Sequence, residues 1–227
     1  VEKEPAIVID VVSDVVCPWC YLGKRYLERA LESLPELSRS VRWRPFQLDP
    51  SIPREGLERE SYMLAKFGNR ERIDAAHERL RELGAAAGIP FDFSAIRIAP
   101  NTLDSHRVIR WAGTLSEDVQ SRLVSRLFGL YFEEGANIGD HAVLSDAARH
   151  AGMDADSVMK LLATNAGRTE VEAEIAASNR MGITGVPCFL LEGRYVLTGA
   201  QPPETLADAV SKVAEAKAKG LLDQNEA

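Results

Sequence analysis

At 227 residues, 45% apolar and 27% charged, the chain has the make-up of an ordinary globular protein and enough length to bury a core without disulfides. A formal net charge of −7, with bases interleaved among acids as in Glu58-Arg59-Glu60, argues against a nucleic-acid partner, because phosphate backbones need concentrated Lys and Arg. No apolar run is long enough to cross a bilayer, three cysteines are too few for a disulfide-rich secreted scaffold, and "VEKEPAIVID" lacks the pattern of a secretory leader, so no membrane partner and a cytoplasmic location are expected.

The first element is a short β-branched run, Ala6 to Ser13, stopped by Asp14, which reads as a buried strand. Pro18 opens a helical pattern with Leu22, Tyr26, Leu27, Ala30 and Leu34 on one stripe, ending near Pro35. Val41 to Leu48 alternates as a second strand, with an irregularity expected at Pro45. From Gly56 to Asn179 the pattern is helical and holds no strand longer than a few residues. Helices are expected along Ile73, Ala76, Leu80 and Leu83, along Val119, Leu123, Leu127 and Leu130, and over Val143–Ala151, Ser157–Ala163 and Thr169–Asn179. Strands Cys188–Leu191 and Arg194–Thr198 then flank a tight turn at Glu192-Gly193, and a closing helix from Pro202-Pro203-Glu204 buries Leu206, Val210 and Val213. The tail from Ala216 is expected to fray. The order is βαβ, helical block, ββα, giving a thioredoxin-like part over 1–55 plus 180–227 and an inserted helical part over 56–179.

The pair Cys17-Pro18-Trp19-Cys20 lies at the first strand-to-helix junction. A cysteine there meets unpaired backbone N–H groups and the positive end of the helix dipole, which stabilise a thiolate. Cys17 is therefore the expected nucleophile, and Cys20, one turn on, the expected resolving thiol. A zinc knuckle would need a second ligand pair, and only Cys188 and four scattered histidines, His77, His106, His141 and His150, are available, so no metal is expected. A purely structural disulfide across so short a loop would constrain the unfolded chain little. The other chemistry-bearing stretch is "GVPCF", in which Pro187 opens the third strand in a turn suited to a cis bond.

With "CPWC" after the first strand, "FQLDP" after the second, "KFG", "AAAGIPFDF", "NTLDSHR" and "LFGLYFEEGANIGD" in the helical block, then "GITGVPCFLL" and "GAQPPETL", the chain resembles the DsbA-like thioredoxin-fold oxidoreductases. Within them it is similar to the FrnE-like branch, related to 2-hydroxychromene-2-carboxylate isomerases and kappa-class glutathione transferases. The resemblance implies an α/β thioredoxin-like fold with a helical domain inserted between the second and third strands. It also implies a cis-proline, Pro187, opposite Cys17 and Cys20, and a protein or small thiol substrate bound along Val186 and joined to Cys17 as a mixed disulfide. Pro18 and Trp19 would line that site, and the helical block would wall it.

Cys188, directly after Pro187, reads either as a small core hydrophobe or as a third thiol near the site. The alternative function is a glutathione-dependent isomerase or transferase on the same scaffold, where a Ser commonly replaces Cys17. For that reading Asn101, His106 and Gln201 are secondary candidates for substrate binding, each with a plain structural role open to it: helix cap, core histidine, exposed cap. No tightly bound cofactor is expected, and glutathione would enter as a co-substrate. A non-catalytic binding module using the same groove is the remaining hypothesis, and no residue pattern speaks for it.

Overall fold

The computed structural model describes residues 6–222; the first five residues of the expected thioredoxin-like part and residues 223–227 of the expected frayed tail lie outside the described residues. The sheet forms from β1 (Ile7–Ser13), β2 (Arg39–Pro45), β5 (Cys188–Leu191) and β6 (Tyr195–Thr198), in the order β2-β1-β5-β6. β1 and β2 pair in parallel, while β5 runs antiparallel to both β1 and β6. Because β1 is covered on both faces, it reads as a mostly apolar run interrupted by Asp10 rather than as an alternating one. Ile7, Ile9 and Val11 pack into the main core with Leu22 and Leu27 of α1 (Pro18–Glu32) and Leu206 and Val210 of α9 (Pro203–Ala218). Val12 turns the other way, into a small cluster with Phe46, Ile183, Cys188 and Leu190.

Pro45 ends β2 rather than interrupting it, which corrects the expected span of 41–48. Proline supplies no donor to the ladder, and beyond it Phe46 N donates to Ser13 O at 3.0 Å. Leu48 N is then taken by Asp14 Oδ2 at 2.8 Å, so the outgoing chain is fastened to Asp14 instead of to the sheet.

Between β2 and β5 come α2 (Arg59–Phe67), α3 (Arg70–Ala87), α4 (Leu103–Leu115), α5 (Glu117–Phe132), α6 (His141–Ala151), α7 (Ala155–Leu162) and α8 (Arg168–Arg180). A two-residue ladder joins β3 (Leu57–Glu58) to β4 (Ile98–Ala99). The helical block is tied to α1 by Tyr21, which stacks on Phe128 at 5.0 Å and donates its hydroxyl to Glu133 at 2.6 Å. Inside the block, Arg107 is 1% exposed; its guanidinium pairs with Asp104 at 2.7 Å and donates to the carbonyls of Leu161, Thr164 and Ala166 at the end of α7. Burial alone would raise the Asp104 carboxyl, but hydrogen bonds from Arg107 and His141 outweigh it and hold the group below the usual carboxylate range.

At the β5-β6 turn Glu192 and Gly193 both take left-handed φ, 53° and 67°, as the tight turn requires. α9 buries Leu206, Val210 and Val213 as expected, but it runs on to Ala218, past the point where fraying was placed. Leu222 is buried and its carbonyl accepts from Arg194, which holds the chain end down to that point. Among the described residues no helix is long and apolar enough to cross a membrane.

Candidate active site

Cys17 is the N-cap of α1, in extended conformation at φ −93° and ψ 113°, with Pro18 in the first helical turn. Its N–H donates to Asp14 O at 3.0 Å, and its carbonyl accepts from Cys20 N at 3.0 Å, which sets the two cysteines on one turn. The Cys17 thiol donates to Val186 O at 3.7 Å, across 169 positions of sequence. The Val186-Pro187 bond is cis. Gly23 of α1 lies beneath this loop, where a β-carbon would stand only 2.9 Å from Pro187 Cγ. The motif "CPWCYLG" thus carries both the thiols and the gap that admits the proline.

All three thiols are free. Cys20 is 1% exposed, and burial pushes its thiol well up; the adjoining Cys17 sulfur adds to the rise, while the Ser13 hydroxyl and the Asp14 backbone N–H work against it. Cys17 borders the groove and Cys20 lies behind it, out of contact with the cavity.

Cys17 opens into a cavity of about 360 Å³ between α1, the Val186 loop and the helical block. Val16, Pro18, Trp19 and Val186 form its near wall, and Leu48, Met63, Phe67, Leu80 and Phe93 form much of the far one. Trp19 is 41% exposed and Phe67 and Leu48 are also open to solvent, so the mouth of the groove is apolar. Two cations interrupt this lining. The Arg59 guanidinium sits 6.0 Å from the centre of the Tyr131 ring and has no carboxylate partner among the described residues. Lys66 Nζ donates to Tyr62 Oη at 2.8 Å, and Tyr62 in turn donates to Asp49 at 3.1 Å. Burial, together with Asp49, pushes the Tyr62 phenol up; burial also raises Tyr131, to about 12. His77 stacks on Phe93 at 4.1 Å and is pushed down to about 4, first by burial and then by Arg59 and Arg81, so it is neutral at pH 7.

The structure brings Cys17, Pro18, Trp19 and Val186 together around this groove, with Cys20 and Pro187 directly behind. Asn101, His106 and Gln201 do not line it. Asn101 Oδ1 accepts from Leu103 N at 3.0 Å at the start of α4, and its Nδ2 donates to Ile52 O. His106 is buried against Asp14, with Nε2 3.3 Å from Oδ1, and borders a different cavity beside Trp43 and Arg110. Gln201 donates to Thr198 O at 2.7 Å just ahead of α9. Cys188 packs with Val12 and Leu190 on the sheet face opposite α1, where burial raises its thiol. It does not face the Cys17-Cys20 pair.

Sequence reasoning did not single out Asp14, Arg59, Tyr62, Lys66 or His77. Asp14, between a buried strand and "CPWC", reads only as a strand stop; Lys66 enters only within the motif "KFG", and His77 only among the histidines too scattered for a zinc site. All but Asp14 come from helices whose contact with the groove depends on tertiary packing. Among the described residues, no cluster of three or more His, Cys, Asp or Glu side chains could hold a metal ion.

A four-stranded sheet of this order, with a CxxC pair at the first helix and a cis-proline facing it, defines a thioredoxin-fold protein. The family model for the DsbA-like thioredoxin domain matches residues 8–211, and the chain belongs to that family. It is 28% identical over 204 residues to the uncharacterized protein YwbO of Bacillus subtilis, which covers 89% of this chain and 95% of the relative. A probable DsbA oxidoreductase of Streptomyces coelicolor superposes with a TM-score of 0.83 at 30% identity, over 91% of this chain and 89% of the other. The fold is also that of a 2-hydroxychromene-2-carboxylate isomerase, at a TM-score of 0.71 and 17% identity over 93% and 98% of the two chains.

Proposed function

We propose that this chain is a thiol-disulfide oxidoreductase working through Cys17 and Cys20. The observation that carries the reading is the 3.7 Å contact of the Cys17 sulfur with Val186 O, beside a cis-proline and at the edge of an apolar groove. In the reducing direction the Cys17 thiolate attacks a substrate disulfide, forming a mixed disulfide and releasing one substrate thiolate. Cys20 then attacks the Cys17 sulfur, a Cys17-Cys20 bond forms, and the second substrate sulfur leaves with the electron pair. The substrate gains two electrons and two protons, and the dithiol is oxidised to a disulfide. Trp19, Phe67 and Leu48 fit a substrate with apolar residues around its disulfide, whose backbone would lie along Val186. In a reducing compartment, reduction would be the working direction. The test is turnover in a dithiol-driven reduction of a protein disulfide: Cys17→Ala should abolish it, and full activity in that variant would contradict the reading.

The second reading, a glutathione-dependent isomerase or transferase, is favoured by Arg59 and Lys66, two cations that border a largely apolar groove and make no direct ion pair with a carboxylate among the described residues. Such cations suit a small thiol carrying carboxylates, so glutathione would serve as co-substrate rather than as a bound cofactor. A glutathione titration separates the two readings. A glutathionyl adduct on Cys17 formed from oxidised glutathione, with one reduced glutathione released, supports exchange; saturable binding of reduced glutathione with both thiols unchanged supports the isomerase type.

A further inference from the structure

Ser13 is the last residue of β1 and follows Ile7, Ile9 and Val11 on the face of the strand that α1 covers. It is 4% exposed, and its backbone carbonyl is already used by Phe46 N. Its hydroxyl is buried without a hydrogen-bond partner. Buried hydroxyls are nearly always paired, because leaving one unpaired destabilises the fold. The neighbour on that face is the Cys20 thiol, itself shut away from water. A protonated thiol is a poor acceptor, whereas a thiolate is a strong one, and the hydroxyl hydrogen can rotate to meet it.

We propose that Ser13 is the positioning residue for the second half of the reaction: its hydroxyl donates to the Cys20 thiolate as that sulfur attacks Cys17. The Asp14 backbone N–H also favours the charged sulfur. The partner that Ser13 lacks in the resting dithiol is supplied when Cys20 loses its proton. The interaction is made only while Cys20 carries charge, so it speeds resolution rather than substrate capture. The inference rests on disulfide exchange at Cys17, as proposed above.

Stopped-flow mixing of the reduced protein with a symmetrical aromatic disulfide tests it. A first release of aryl thiolate reports loading of Cys17. A second reports Cys20 attacking Cys17: the Cys17-Cys20 bond forms, the bond to the aryl sulfur breaks, and the Cys20 proton passes to solvent. Ser13→Ala should slow the second phase relative to the first by about tenfold or more at neutral pH and move its pH profile upward, the loss expected for one hydrogen bond to a charged group. Ser13→Thr, which keeps the hydroxyl at a strand position, should restore both. An unchanged second phase in Ser13→Ala, or a Ser13→Thr variant as slow as Ser13→Ala, would overturn the role of the hydroxyl. Absence of the first phase in the unmodified protein would overturn the exchange reading itself, and the role of Ser13 with it.

Discussion

Replacing Gly23 with alanine drives a methyl group into the loop that faces the reactive thiol. The new carbon would lie 2.9 Å from Pro187 Cγ, 3.3 Å from Phe189 Cζ and 3.4 Å from Pro187 Cβ. Carbon atoms prefer roughly 3.5–4.0 Å, and a proline ring has no rotamer by which to retreat, so the loop itself must move. Two terms then compete for stability. Alanine in a helix interior gains about 1 kcal/mol over glycine, while overpacking a filled site costs about 1–3 kcal/mol. The net loss is about 0–2 kcal/mol, a fall of a few degrees in Tm for a chain of this size. Activity should suffer more, because the same shift carries Val186 O away from the Cys17 sulfur, and an error near 1 Å in a reacting site can cost about a hundredfold. Urea denaturation and insulin-disulfide reduction on the same sample check both parts. A Gly23→Ala protein that is more stable and keeps full turnover would refute the claim that this glycine exists to admit Pro187.

Cys188→Ala should leave turnover unchanged and cost about 1 kcal/mol of stability, the worth of a small buried apolar group; a loss of turnover would show that the third thiol takes part. Arg107→Ala strips the partner from Asp104 and the donors from three carbonyls, so urea unfolding should register a loss of about 3–5 kcal/mol, and a change well below that range would contradict the role assigned to this residue. His77 makes stability depend on pH. The folded protein holds it neutral down to about 4, whereas the unfolded chain protonates it near 6.5, so stability falls as pH drops through that window and the loss is complete below about 4. Allowing for its partial exposure the change is about 1–2 kcal/mol, and His77→Phe, which keeps the stack on Phe93, should remove it when wild type and variant are compared at pH 7 and pH 5.

Where local chemistry decides the structure, the sequence was readable. The β1-α1 junction, the Glu192-Gly193 turn and the inner face of α9 each follow from signals carried by a few adjacent residues. That Pro187 faces Cys17 was legible only through the family resemblance carried by the motifs on either side of the long helical stretch. What could not be read depended on packing between distant segments. α2 is short and buries none of its residues, so its sequence does not say what it faces, yet it brings Tyr62, Met63, Lys66 and Phe67 to the groove. Cys188 could not be oriented without the pairing of β5, in which Cys188 opposes Val12 and thereby turns away from α1. His106 reads as a candidate ligand or as a core residue from its helical stripe, and only the approach of Asp14 to α4 shows what it touches. Ser13 and Asp14 look like the polar end of a strand, and their value lies in standing beside Cys20 and Cys17.

The central claim is that Cys17 takes the substrate and Cys20 releases it, and trapping the intermediate tests that most directly. Cys20→Ser protein, mixed with a disulfide-bonded protein substrate and acid-quenched, should accumulate a one-to-one mixed disulfide that peptide mapping places on Cys17. A trap that forms on Cys188, or no trap under conditions in which the unmodified protein turns over, would contradict it.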